Sequence, residues 1–451
     1  MPSHRKVPVV IIVLAAVIIL AASVLITAQQ RVGAEGDSSL RKALEVMALI
    51  KLHYVEPVSV LDLVQNYVAT GTIQGMMRAV KDPYSRYLTA DSFNEMQIDT
   101  SGEFGGIGIY MGMRNDRITV ISPIDGTPAA RAGIKAGDII VRIDGKSTEG
   151  MTPDEAANLM RGPEGTEVVI GIERGSEPEY LEFNLVRETI HVPSVEGKML
   201  EDGIGYIRIA SFTGTTVSGL YEKLHELEKQ GMKGLILDLR FNPGGLLTAA
   251  IDVVDEFVTG GPILHVAGRG GQGKRTFYAT SEAEYPDLPL VVLVNKGSAS
   301  ASEIVAGAFK DLNRATLIGT QTFGKGAVQT IFPLYDESGL VLTTQKWYTS
   351  GGHSIHLQGI EPNIVLYNPG DEEMEEHLKQ MQKEQQEEAE HPERQRERQE
   401  ESEYQEEIED AKEERVEEER VEEEEPFQDL QLEKAIEVLQ AKLQTEQDKA
   451  A

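Results

Sequence analysis

Apolar residues recur along the chain with two different periods. In the first part the spacing is helical: Leu40, Ala43, Leu44, Met47, Ala48, Ile50 and Leu52 fall on one stripe, and residues 61–77 form a second. Pro57 separates the stripes, and Asp82-Pro83-Tyr84-Ser85 closes the region as a turn. Residues 99–188 change to short strand-like runs around a capped helix at 152–160, which has Thr152 at its cap and Pro153 in its first turn. From Gly203 the two periods alternate. Strands are predicted at 204–211, 234–240, 288–295 and 315–319, helices at 217–230, 246–258 and 300–312, and a closing hairpin at 329–334 and 340–348. Alternation of this kind predicts a sheet with helices packed on it and a ligand site outside the carboxyl ends of its strands. Near the end, Leu430, Leu432, Ile436, Leu439 and Leu443 restore a helical stripe that suits a docked terminal helix.

Residues 7–28 are apolar except for Pro8, Ser23 and Thr27, long enough to cross a hydrocarbon core of roughly 30 Å. Arg5 and Lys6 precede them, so the positive-inside rule puts residues 1–6 in the cytoplasm and everything after Gln29 outside. A cleaved signal peptide has a shorter apolar region and a small-x-small site, which Ile26-Thr27-Ala28 fits poorly; residues 1–30 are expected to be a cytoplasmic stub and uncleaved membrane anchor.

With 451 residues the chain exceeds one ordinary core, and two or three domains with extensions are expected. Its net charge of -31 is concentrated: residues 371–425 hold 27 acidic against 8 basic side chains and almost no large apolar ones, so this low-complexity stretch cannot bury a core. The rest is mildly acidic and has no clustered Lys and Arg, which excludes nucleic acid as the main partner. The chain has no cysteine, which removes disulfides, thiolate nucleophiles and cysteine-ligated metals together.

Within residues 96–190, Phe104-Gly105-Gly106-Ile107-Gly108-Ile109 opens a strand, Ala132-Gly133-Ile134 leads to Gly137-Asp138-Ile139-Ile140, and a helix precedes Arg161-Gly162-Pro163. This order of elements resembles a PDZ domain. The resemblance implies that an extended peptide adds a strand to an exposed edge while backbone N–H groups at Gly105, Gly106, Ile107 and Gly108 hold its terminal carboxylate.

Three glycine-bounded turns in the later part carry candidate chemistry. The strand at 288–295 runs into Lys296-Gly297-Ser298-Ala299-Ser300-Ala301-Ser302-Glu303 and then a helix, which aims N–H groups at whatever lies above the helix start and offers three competing serines. A Ser/Ala turn that merely caps a helix has the same appearance. In Phe323-Gly324-Lys325-Gly326 one lysine stands between two glycines. Crowding there would lower its pKa from about 10.4 toward roughly 7 to 8 and let it accept a hydroxyl proton, a change of roughly 4 kcal/mol against the ammonium. N–H groups of the turn Asp238-Leu239-Arg240-Phe241-Asn242-Pro243-Gly244-Gly245-Leu246 are candidates to complete an oxyanion hole.

Taken together, Gly-Ser-Ala-Ser-Ala-Ser-Glu-Ile, Thr-Phe-Gly-Lys-Gly-x-Val-Gln and Asp-Leu-Arg-x-Asn-Pro-Gly-Gly-Leu resemble the carboxy-terminal processing proteases, also called tail-specific proteases. The resemblance runs from about Ser38 to Gly359-Ile360-Glu361-Pro362 and resumes near Leu430. It implies a Ser-Lys dyad with Ser300 as nucleophile, Lys325 as base and Gln329 orienting that base, and oxyanion donors at Ala301 N–H and one of Gly244 or Gly245. Asp311 also matches a family position and reads as structural.

The implied fold is an α/β multi-domain protein: a helical region over 38–95, the PDZ-like β-rich domain, an α/β protease core over 191–368, and a C-terminal amphipathic helix over 427–446. The implied function is an extracytoplasmic serine endopeptidase acting on proteins or peptides with accessible C-termini, with no cofactor and no metal. Membrane contact is through the N-terminal helix, and helices at both ends admit a homodimer. The chain departs from the family's Thr-Pro-Ser-Gly-Arg-Ser-Ile pattern at Thr349-Ser350-Gly351-Gly352-His353-Ser354-Ile355. Gly268-Arg269-Gly270-Gly271-Gln272-Gly273-Lys274-Arg275 imitates a phosphate loop, but strand-like runs on both sides predict a hairpin tip. Two rival readings are a Ser-His-Asp triad through His353 or His356, and a tethered PDZ scaffold or holdase without catalysis.

Overall fold

The computed structural model describes residues 34–371 except 176–179, together with 380, 383 and 428–450. The expected membrane anchor at 1–30 and nearly all of the acidic stretch lie outside the described residues. Among the described residues no helix is long and apolar enough to cross a membrane.

Six short strands, most of them apolar, form the central sheet. Its order is Val195–Met199, Ile204–Ile209, Gly234–Asp238, Leu290–Val294, Thr316–Gly319 and Ile364–Val365, antiparallel only at the first pairing. Successive strand residues face opposite sides, so Leu235, Leu237, Leu290, Val292, Val294 and Leu317 enter one core while Ile236, Val291, Leu293 and Ile318 enter another. Helices cover both faces, which is why the run Leu290–Val294 is apolar at every position. Thr216–Lys229, Leu247–Asp255 and Ala301–Asp311 cover the first face. The C-terminal helix Leu430–Ala450 covers the second, with Ala435 and Leu439 fully buried against it.

Beside this layer lies an antiparallel sheet of Arg86–Leu88, Gly339–Thr349, Pro262–Ala267 and Arg275–Tyr278, with Ala327–Pro333 also paired to Gly339–Thr349. The N-terminal helices Ala34–His53, Val60–Thr70 and Ile73–Met77 pack on it through a core that joins Val46, Ile50, Leu63 and Met76 to Leu340 and Leu342. The second helical stripe at 61–77 was expected to be continuous. It breaks at Gly71, whose φ of 68° ends one helix, and Thr72 caps the next by accepting from Gly75 N–H.

The peptide-binding-like unit is a sheet of Ile109–Arg114, Arg117–Pro123, Ile139–Ile143, Glu167–Glu173 and Leu181–Val186, closed by the helices Pro128–Ala132 and Pro153–Met160. The Thr152 cap is reciprocal: its hydroxyl accepts from Glu155 N–H, and the Glu155 carboxylate accepts from Thr152 N–H at 2.8 Å. A ribbon of Glu103–Gly106 against Glu188–His191 carries the chain in and out of this unit. The helix Ala90–Ser101 that precedes the ribbon is absent from the hydropathy reading; only Phe93 on it is buried, so its apolar stripe is weak. The strands Arg86–Leu88, Val195–Met199 and Ile364–Val365 were also unread, being short or mixed in composition.

Candidate active site

Parallel register brings the three glycine-bounded turns to one edge. They follow Gly234–Asp238, Leu290–Val294 and Thr316–Gly319, three adjacent strands. With Met96 and Thr100 of the helix Ala90–Ser101 on the opposite wall, they border a cleft of about 380 Å³ that includes Gly245, Ser300, Ala301, Lys325 and Gln329.

Hydrogen bonding separates the three serines that spacing left equal. Ser298 Oγ donates to Leu239 O at 2.7 Å and accepts from Asn295 N–H at 3.0 Å; Ser302 Oγ donates to Asn242 O at 2.9 Å. Both side chains are fully buried, and their hydroxyls hold the turns together. Of the three only Ser300 borders the cleft; its Oγ faces Glu303 N–H in a reciprocal capping box, and among the described residues its hydroxyl donates to no group. Its backbone sits at φ 54°, ψ -111°, where a side chain costs about 1–3 kcal/mol and persists only if its surroundings enforce it.

Glu303 supplies much of that enforcement. It is 0% exposed, and its Oε2 accepts from Ser300 N–H at 2.9 Å and from Lys325 N–H at 2.8 Å. Its Oε1 accepts from Thr322 Oγ1 at 2.6 Å and Gly324 N–H at 2.7 Å. One carboxylate thus fastens the serine corner to the lysine loop. Burial pushes its pKa up, and those four donors oppose the rise. Losing the carboxylate would strand buried donors at about 1–3 kcal/mol each.

The oxyanion candidates also separate. Gly244 N–H donates to Asn242 Oδ1 at 2.9 Å, and a Cβ on Gly244 would lie 2.7 Å from Ser300 Cβ. Gly244 therefore gives close approach and is already committed as a donor. Gly245, at φ 139°, borders the cleft with Ala301, and a Cβ there would lie 2.0 Å from Phe212 O. Among the described residues no hydrogen bond is recorded from Gly245 N–H or Ala301 N–H. Asn242 is the organiser: its Nδ2 donates to Ile209 O at 2.8 Å, and its own carbonyl accepts from Ala299 N–H at 3.0 Å.

The Lys325 main chain is fixed by Trp347, whose Nε1 donates to Lys325 O at 2.9 Å. Lys325 Nζ lies over the Tyr84 ring, 4.9 Å from its centroid, and no hydrogen bond joins it to Ser300 or Gln329. Burial lowers the Lys325 pKa, and the charge of Arg86 lowers it further; Asp82 and Glu303 act the other way. Gln329 borders the cleft, but its amide donates to Thr343 Oγ1 at 3.4 Å, so the orienting contact with Lys325 is not made in this arrangement. Neither His353 nor His356 borders the cleft. Asp311 Oδ2 accepts from Gly351 N–H at 2.7 Å and pins the segment that departs from the family pattern.

At the peptide-binding-like unit, Gly105 and Gly106 pair with Thr189 and Glu188 in the connecting ribbon, so they are not part of an open loop. Ile107 O and Gly108 O accept from Ala129 N–H at 2.9 Å and Ile124 N–H at 3.0 Å, while no bond is recorded from their own N–H groups among the described residues. The strand Ile109–Arg114 that follows is the sheet's edge. The false phosphate loop is a hairpin tip between paired strands, as expected.

The sequence reading missed Glu303, Asn242, Tyr84, Arg86 and Trp347. Only Glu303 had a local signal, since Ser300-Ala301-Ser302-Glu303 has the spacing of a capping box.

Comparison with known proteins adds independent findings. A family model described as peptidase family S41 matches residues 203–366, a PDZ domain model matches 119–174, and one described as the activating protease CtpB N-terminal domain matches 20–92. The chain is 42% identical over 353 residues to a carboxy-terminal-processing protease of Bartonella bacilliformis, covering 76% of this chain and 80% of that protein. It is 41% identical over 304 residues to a probable CtpA-like serine protease of Staphylococcus aureus, covering 67% of this chain but only 60% of the relative's length. Among solved structures, a photosystem II D1 C-terminal processing protease is similar at 30% identity and a TM-score of 0.47, covering 73% of this chain and 93% of that one.

Proposed function

We propose a reaction from this premise: the chain belongs to the carboxy-terminal-processing proteases of peptidase family S41 and is a serine-type peptidase with a PDZ domain. Ser300 is the nucleophile and Lys325 the base. The observation that carries this reading is a strained serine whose hydroxyl donates to no group, sharing one cleft with a lysine whose ammonium is disfavoured by burial.

In the reaction, Lys325 Nζ leaves the Tyr84 face, reaches Ser300 Oγ and takes its proton as Oγ attacks the scissile carbonyl. Its flexible four-carbon stem permits the swing, and catalytic hydrogen bonds commonly tighten only when substrate is bound. Ala301 N–H and Gly245 N–H receive the developing oxyanion. Collapse of the tetrahedral intermediate breaks the C–N bond, the leaving amine takes the proton from Lys325, and an acyl-enzyme remains on Ser300. Lys325 then deprotonates a water that attacks the ester, and Ser300 Oγ recovers its proton. Gln329 steadies the lysine once it has swung into the cleft.

The PDZ domain selects chains by their C-terminus, with Ile107 and Gly108 N–H groups on the terminal carboxylate and the preceding residues extending the edge strand Ile109–Arg114. Amidating the C-terminus of an unstructured protein substrate is expected to raise KM about tenfold or more, since a charge-assisted bond contributes roughly 1.5–3 kcal/mol, with kcat little changed. Equal KM for free and amidated substrates would sink terminal recognition.

Residues 1–30 anchor the enzyme, and its catalytic part works outside the cytoplasm. Because the chain has no cysteine, Asp125→Cys gives one exposed reporter. A membrane-impermeant maleimide should label it in intact cells of the native host, and protection until lysis would reverse the assigned side.

A further inference from the structure

The turn that presents Gly245 starts at Arg240, and the Arg240 side chain points away from the cleft, toward the C-terminal helix. It is 8% exposed and gripped from two directions. Asp238 accepts from its Nε at 3.0 Å and its Nη2 at 2.6 Å. Asp429 takes the rest of the fork, Oδ1 from Nη1 at 2.7 Å and Oδ2 from Nη2 at 2.8 Å. Gln431 Oε1 adds an acceptor for Nη1 at 3.1 Å. These partners come from 189 and 191 residues away, beyond the acidic stretch. They are themselves held: Gln431 Nε2 donates to Leu366 O at 2.8 Å and Asp371 Oδ2 at 2.7 Å, and Gln431 N–H donates to Asn368 Oδ1 at 3.1 Å.

A helix that only covered the sheet would need nothing beyond its apolar stripe. Leu439 and Ala435 already provide that, fully buried against Ile236, Val291 and Ile318. A planar guanidinium held bidentately by one carboxylate and flanked by another fixes orientation as well as position. Here it fixes the residue at which strand Gly234–Asp238 becomes the oxyanion turn. The next residue, Phe241, is half-exposed at φ 58°, a conformation that needs outside support. Its N–H donates to Asn295 Oδ1 at 2.9 Å, which ties the same corner to the turn that carries Ser300.

We propose that Asp429 is a positioning residue for the peptidase reaction: by clamping Arg240 it sets the turn that carries Gly245, and so makes the C-terminal segment part of the oxyanion site. The inference rests on the proposed roles of Ser300 and Gly245. It adds that a carboxylate touching neither substrate nor dyad governs the rate of acylation.

The test uses the full chain and an unstructured protein substrate. Asp429→Asn keeps shape and loses the charge, Asp429→Glu restores the charge, and Arg240→Lys keeps the cation without the fork. Asp429→Asn and Arg240→Lys are each expected to lower kcat roughly tenfold with KM unchanged, since small misplacement of oxyanion donors costs this much. Asp429→Glu should recover most of the loss. Leu439→Ala is the control for docking alone: it should lower the melting temperature while kcat stays near wild type. If Asp429→Asn does not fold, Arg240→Lys decides. Unchanged kcat in the folded clamp variants would overturn the proposal, as would an equal fall in Leu439→Ala. Ser300→Ala, run in parallel, keeps the two readings apart. Turnover by that variant removes the proposed site itself, whereas its inactivity beside fully active clamp variants removes only the role of Asp429.

Discussion

Ser300→Ala is expected to reduce turnover of an unstructured protein by roughly a millionfold, as loss of the nucleophile does where the catalytic groups act as a unit. Peptide binding at the PDZ domain should be unaffected, because Ile107 and Gly108 lead into the edge strand Ile109–Arg114 of a separate sheet. The neighbouring serines predict the opposite pattern. Ser298→Ala removes a buried hydroxyl that links Leu239 O to Asn295 N–H, so it should cost about 1–3 kcal/mol of stability and comparatively little kcat. Ser300→Ala should cost less stability than that, since its hydroxyl makes only the capping contact with Glu303 N–H and donates to no group. Ser300→Gly should even stabilise the fold, by about 1 kcal/mol, because glycine accepts φ 54° freely. Measuring kcat and the urea midpoint together for these variants separates chemistry from scaffolding. Residual turnover by Ser300→Ala comparable to that of Ser298→Ala would show that the hydroxyl was wrongly chosen.

Lys325→Met, which keeps the length and apolar stem of the side chain, should lower kcat/KM by at least the roughly 10²–10⁴-fold expected for a general base. The pH profile identifies the base more specifically. Only the neutral amine accepts a proton, so activity is present above the Lys325 pKa and lost as pH falls through it. Burial and the Arg86 charge bring that pKa below the ordinary 10.5, against the pull of Asp82 and Glu303. Tyr84 does not compete for the proton, since burial pushes its own pKa up to about 12. Arg86→Gln removes one positive neighbour and should therefore shift the acid limb to higher pH. A limb that stays fixed in Arg86→Gln but moves in His353→Gln or His356→Gln would transfer the base to an imidazole.

Much of this site was legible in the sequence because glycine and strand signals are local. Apolar runs such as Leu290–Val294 followed by small-residue turns placed three loops at strand ends, and parallel pairing did the rest. Spacing could not choose among Ser298, Ser300 and Ser302, because the choice depends on which hydroxyls meet Leu239 O and Asn242 O, carbonyls some 60 residues earlier in the chain. Glu303 was hidden for the same reason. A capping-box spacing announces one of its bonds, but the other three go to residues 322–325 and exist only after the fold closes. The helix Ala90–Ser101 escaped because only Phe93 on it is buried, which leaves little apolar stripe to read. Gly105 and Gly106, expected with Ile107 and Gly108 to hold a terminal carboxylate, instead pair with Thr189 and Glu188, partners of which short-range pattern carries no trace.

Everything proposed for the mechanism depends on Ser300 Oγ becoming acylated. The most direct test quenches the wild-type enzyme in acid during turnover and maps the modified residue by mass spectrometry. A substrate fragment should be ester-linked to Ser300, and it should be absent in Lys325→Met under the same conditions. A fragment on Ser298 or Ser302, or rapid turnover with no covalent species even when deacylation is slowed, would contradict the assignment.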